Sequence, residues 1–184
     1  MRAHELCHLS LREWTDLPLE ARLRLAASCF LGWDYPAHTR ENGAPFAGPG
    51  LPARDTRRAD CSVFAAALIM AAYPLAAWTP EDYHALAIWE GQPMDAPVHA
   101  LARHGVGIPA DLEGPGWRLC QGWRPNGTGH TWLCRPHEGA LLALDSSPTH
   151  GVGPRSRVVT AADLRSEYRR RIYAARLVER VEAT

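Results

Sequence analysis

Asp60-Cys61-Ser62-Val63-Phe64-Ala65-Ala66-Ala67-Leu68-Ile69-Met70-Ala71-Ala72-Tyr73-Pro74 is the stretch on which the fold turns. A polar segment stops at Asp60, an apolar run follows without interruption, and Pro74 ends it. Good helix formers dominate the run, so it reads as a helix buried on every side, with Cys61 at its start. The first amides of a helix have no intrahelical partner, and the dipole there is positive. Both favour a thiolate, so Cys61 is expected to be a low-pKa nucleophile. The plainer alternative is a buried structural thiol, since free cysteines are among the most buried residues.

Outward from this run, the N-terminal half is helical in pattern. Ser10 with Glu13 is a capping box. Leu19, Leu23, Ala26, Ala27 and Phe30 recur with a helical period over Leu19–Leu31. Residues 37–59, rich in Pro, Gly and Arg, read as a long irregular loop of the kind that carries function. Thr79-Pro80-Glu81-Asp82 starts another helix, and Asp95–His104 forms a short one. The texture changes at Trp117. Trp117–Arg124, His130–Arg135, Leu141–Asp145, Arg155–Val159 and Ile172–Val178 read as strands, with a short helix from Thr160 to about Tyr168. Helices first and then an antiparallel meander give an α+β fold, N-terminal helices packed on a C-terminal sheet. The expected organisation is one domain over 1–184, helical over about 10–105 and sheet over about 115–180.

Composition removes several function classes. Twenty basic and twenty acidic residues balance to zero, and every basic residue is Arg. Nucleic-acid binding is therefore not expected. Five cysteines, an odd number, do not form a disulfide framework. Met1–His8 lacks an apolar signal core, which predicts synthesis in the cytoplasm without a signal peptide. No apolar run is long enough for membrane insertion. Seven tryptophans are either core or a sugar- or peptide-binding surface.

A thiol nucleophile needs a base, and the base needs an orienting group. Gly129-His130-Thr131-Trp132 puts a histidine at the entry of a strand, and Leu144-Asp145-Ser146-Ser147 puts a carboxylate at the end of the next. Antiparallel pairing makes His130 and Asp145 neighbours. Each has a plainer reading, His130 as a strand histidine with satisfied hydrogen bonds and Asp145 as the cap of a turn. A zinc site built from Cys120, His130, Cys134 and His137 is the rival chemistry, but alternation along the strand and Pro136 carry His137 away from the others. No metal and no cofactor are expected.

Asp60-Cys61-Ser62 before an apolar helix, Gly129-His130-Thr131-Trp132-Leu133, and the lead-in Gly32-Trp33-Asp34-Tyr35-Pro36 together resemble the NlpC-type cell-wall cysteine peptidases, most of all their phage and prophage variants. The likeness covers roughly residues 19–150; Val63 stands where the family usually has Gly, and Pro36-Ala37-His38 where it has Trp-Gly-Gly. The resemblance implies a papain-like fold and a peptidoglycan-cleaving thiol hydrolase with Cys61, His130 and Asp145 as catalytic residues. It also implies substrate contacts at Tyr35, Asp60 and Ser62, with a peptidoglycan stem peptide as partner. Such a protein reaches the cell wall by a holin, a virion or a secretion system. A phage-tail component or an immunity protein is then a further partner. The other expectations are an inactive papain-like structural or binding module and a secreted antibacterial amidase.

Overall fold

The computed structural model describes residues 7–29, 60–87, 93–147 and 152–179. Tyr35, the Gly32–Pro36 lead-in and the loop 37–59 lie outside the described residues.

The N-terminal helices are α1 (Leu11–Asp16), α2 (Leu19–Ser28), α3 (Cys61–Ala72), α4 (Pro80–Ala87) and α5 (Ala96–Arg103). The capping box at Ser10 forms as expected, with Glu13 bonded back to the Ser10 amide at 2.8 Å. Every residue of α3 is buried, and α2, α4, β3 and β4 pack around it. Its alanines keep the helix slender enough for that close approach, while Phe64, Leu68, Ile69 and Met70 fill the core at roughly 1.5–3 kcal/mol each. The far end of α3 is pinned as well. Trp14 Nε1 donates to the Ala71 carbonyl at 2.8 Å, and the buried Arg22 guanidinium donates to the Ala72 carbonyl. These side chains satisfy carbonyls that the helix end leaves without partners.

The sheet comprises β1 (Gly107–Ala110), β2 (Arg118–Trp123), β3 (Gly129–His137), β4 (Ala140–Ser147), β5 (Val152–Val159) and β6 (Arg171–Leu177), with α6 (Ala161–Glu167) before the last strand. All pairings are antiparallel, in the order β1-β6-β2-β3-β4-β5. The molecule is thus mixed α+β with a six-stranded antiparallel sheet. Two expectations need correction. The sheet begins at Gly107 rather than near residue 115, because β1 is an edge strand whose Gly107 and Pro109 disguise it. The meander also holds only from β2 to β5, since β6 returns to lie between β1 and β2.

Both faces of the sheet are covered. Leu119, Leu133, Leu144, Ala175 and Leu177 join the helical core on one face. On the other, Cys120, Trp132, Cys134, Ala143 and Val159 form a second cluster with Leu164 of α6 and Tyr168 just beyond it. No described helix is long and apolar enough to cross a membrane.

Candidate active site

The β3–β4 ladder is incomplete. Pairing runs from His137–Ala140 to Leu133–Leu144 and stops, although β3 begins at Gly129 and β4 continues to Ser147. Beyond that point β3 stays on β2 and β4 stays on β5. The result is a gap in the sheet, lined by His130 and Thr131 on one side and by Asp145 on the other.

His130 Nε2 lies 3.2 Å from Asp145 Oδ2, and both side chains are buried. Asp145 also accepts from Arg155 Nε at 3.1 Å and from Arg157 Nε at 2.9 Å. Burial alone would raise the Asp145 carboxyl, but the hydrogen bond and charge of His130, with Arg157 and Arg155, outweigh it and hold the group down at about 2. An ionised carboxylate only accepts hydrogen bonds, so Nε2 carries the proton of a neutral His130 ring. Nδ1 then keeps its lone pair and is the basic nitrogen. The ring is further fixed by stacking, 5.9 Å from Trp132 and 6.1 Å from Tyr168 between centroids. Tyr168 can lie there because Gly122, paired with His130, has no side chain; a Cβ on Gly122 would meet the Tyr168 ring at 2.4 Å.

Cys61 is the first residue of α3 and is 6 % exposed. The backbone amides of Thr131 and Ser62 act on its sulfur and favour the thiolate. Since Thr131 directly follows His130, the thiol lies one peptide unit from the His130 backbone. No hydrogen bond joins the Cys61 sulfur to the His130 ring.

The expected low-pKa thiol is not what the structure contains. Burial pushes the Cys61 thiol up, the Asp60 and Asp145 charges push the same way, and the two amides only partly offset this. The helix start is occupied by another anion. Asp60 is the N-cap, its Oδ1 accepting from the Val63 amide at 2.7 Å. The positive end of α3 therefore serves a carboxylate before it serves the thiol. Ser62 Oγ sits 2.9 Å from Asp60 Oδ1 and 2.8 Å from the Ala87 carbonyl oxygen, so it ties α3 to α4. Asp60 and Ser62, expected to contact substrate, thus bond to the first turn of α3 and to the end of α4.

Among the described residues no three His, Cys, Asp or Glu side chains converge as a metal site requires. Cys120 and Cys134 do meet, their sulfurs 3.6 Å apart in the second cluster. His137 is not past the strand but is the last residue of β3, paired with Ala140.

Sequence reasoning missed Arg155 and Arg157. Their spacing in Arg155-Ser156-Arg157, on a strand expected beside Asp145, was the available signal: alternate residues share one face. It also missed a second buried carboxylate, Asp82, which binds Arg103 at 2.8 Å and His104 at 2.7 Å.

No protein-family model, no curated protein and no solved structure matches this chain.

Proposed function

We propose that the protein is a papain-like thiol hydrolase that cleaves amide bonds in bacterial peptidoglycan peptides. The observation that carries this reading is the Asp145-bound His130 in a gap of the sheet, beside the helix start that holds Cys61. In the reaction His130 Nδ1 takes the Cys61 proton as the sulfur attacks the substrate carbonyl. The same proton passes to the departing amine, leaving a thioester that water hydrolyses with His130 again as base. The Cys61 amide, free at the helix start, contributes to oxyanion binding. Asp145 fixes the ring. The family resemblance adds Tyr35 as a substrate contact. It also supplies the peptidoglycan stem peptide as substrate and a phage or prophage lysis or tail protein as the setting. A secreted antibacterial amidase acts by the same chemistry and would be encoded beside an immunity protein.

A second reading has its own support. A 6 % exposed thiol pushed above its ordinary range suits a papain-like domain kept as a structural or binding module. Digestion of purified peptidoglycan separates the two. The hydrolase reading expects release of amino groups by the wild-type protein and none by Cys61→Ala, with unchanged circular dichroism. Equal activity in both proteins, or none in either, would sink it.

A further inference from the structure

Asp145 is bound more heavily than an orienting carboxylate needs to be. One hydrogen bond to His130 fixes the ring, and one guanidinium would compensate a buried carboxylate. The structure provides two. Asp145 is fully buried, its Oδ1 is taken by Arg155, and its Oδ2 is shared by Arg157 and His130. Arg155 is the cross-strand partner of Asp145, while Arg157 stands opposite Ala143. Alternation on β5 therefore delivers both guanidinia to the same carboxylate. Their side chains are 17 % and 25 % exposed, which limits screening by solvent.

We propose that Arg155 and Arg157 are positioning residues of the site, clamping Asp145 by both oxygens and offsetting the negative charge it presents to His130. This rests on the reading of His130 as the base for Cys61. An uncompensated carboxylate in contact with an imidazole favours the imidazolium, which has no lone pair left to take a proton. Two guanidinia behind the carboxylate weaken that pull, so Asp145 keeps its role in orientation without trapping the proton on the ring. The other charged groups around His130 do not supply this compensation. Glu167, at the end of α6, faces it and is itself paired with Arg124, whose guanidinium lies 4.9 Å from the Tyr168 ring. From the α3 side come Asp60 and Cys61. The clamp thus lets Asp145 hold the ring without presenting its full charge to it.

The test is an NMR pH titration of the His130 ring in the full chain, with iodoacetamide alkylation of Cys61, located by mass spectrometry, as the companion measurement. In Arg157→Gln the less compensated Asp145 charge makes the imidazolium easier to form. The His130 titration is expected to move to higher pH by about one unit, and Arg157→Lys should return it towards wild type. A purely structural salt bridge would change stability without this displacement. Arg155→Gln is the second variant, read in the same way if Arg157→Gln does not fold. The proposal is overturned if a folded variant shows an unmoved His130 titration or one displaced to lower pH while wild-type Cys61 reacts. Failure of wild-type Cys61 to react in the folded protein at any pH would remove the hydrolase reading as well, and so separates the two failures.

Discussion

The molecule contains two buried aspartates of nearly the same construction. Asp82 binds His104 Nε2, Arg103 and, through a reciprocal cap, the Thr79 amide; Asp145 binds His130 Nε2, Arg155 and Arg157. Both carboxyls are held down at about 2. Each histidine also rests against an aromatic ring, His104 against Trp78 at 4.6 Å and His130 against Trp132 and Tyr168. By geometry alone either pair is an acid–base dyad. The surroundings separate them. Asp82 lies inside the first turn of α4 and closes its cap, so its cluster fastens α4 to the end of α5. Asp145 caps nothing and lies where two strands part beside a thiol. A histidine–aspartate contact is a common means of satisfying a buried carboxylate; under the proposed function, the cysteine near it would give it a chemical use.

Five substitutions test how far the two clusters differ. The largest difference is expected between the histidines. If the hydrolase reading holds, His130→Ala lowers peptidoglycan turnover by at least about 100-fold, while His104→Ala stays within about twofold. Equal losses would erase the distinction. Next come the aspartates, compared by urea unfolding. Asp145→Ala strands two partly buried guanidinia and is expected to cost about 3–5 kcal/mol. Asp82→Ala should cost less, about 1–3 kcal/mol, because Arg103 is largely exposed and can rehydrate. The reverse order would mean that Asp82 is the tighter anchor. The smallest effect on the contrast between the two clusters is at Gly122→Ala, where the new methyl drives Tyr168 off the His130 side of the sheet. It is expected to cost about 1–3 kcal/mol and to lower turnover without changing the Asp82 cluster, as read from the His104 proton resonances.

Local signals were well read in the sequence. Ser10 with Glu13, Thr79 with Asp82, and the unbroken apolar run of α3 each state their structure within a few residues. So did the His130–Asp145 contact, because strand order and one turn were enough to bring the two ends together. What stayed hidden depends on distant parts of the chain. β1 lacks a strand pattern because Gly107 and Pro109 are tolerated only at an edge, and its place beside β6 is set by residues far along the chain. The raised Cys61 thiol reflects how deeply α3 is buried and which side chain caps it. A residue list with Asp60 next to Cys61 does not reveal that the carboxylate holds the helix start. The spacing of Arg155 and Arg157 puts them on one face of β5, but their meeting with Asp145 depends on how β5 aligns with β4.

The double attachment at the far end of α3 gives that helix the character of a gauge block. Trp14 and Arg22 hold its last carbonyls, and Asp60 sets where its first turn begins. The number of residues between them therefore fixes the sulfur in both height and azimuth. Removing a single alanine from Ala65-Ala66-Ala67 would leave the run as apolar as before. It would nevertheless shift the Cys61 sulfur along the axis by about 1.5 Å and swing it by roughly 100°. The thiol would then face away from the gap between β3 and β4. In this chain the length of the core helix is as much a part of the site as the cysteine it carries.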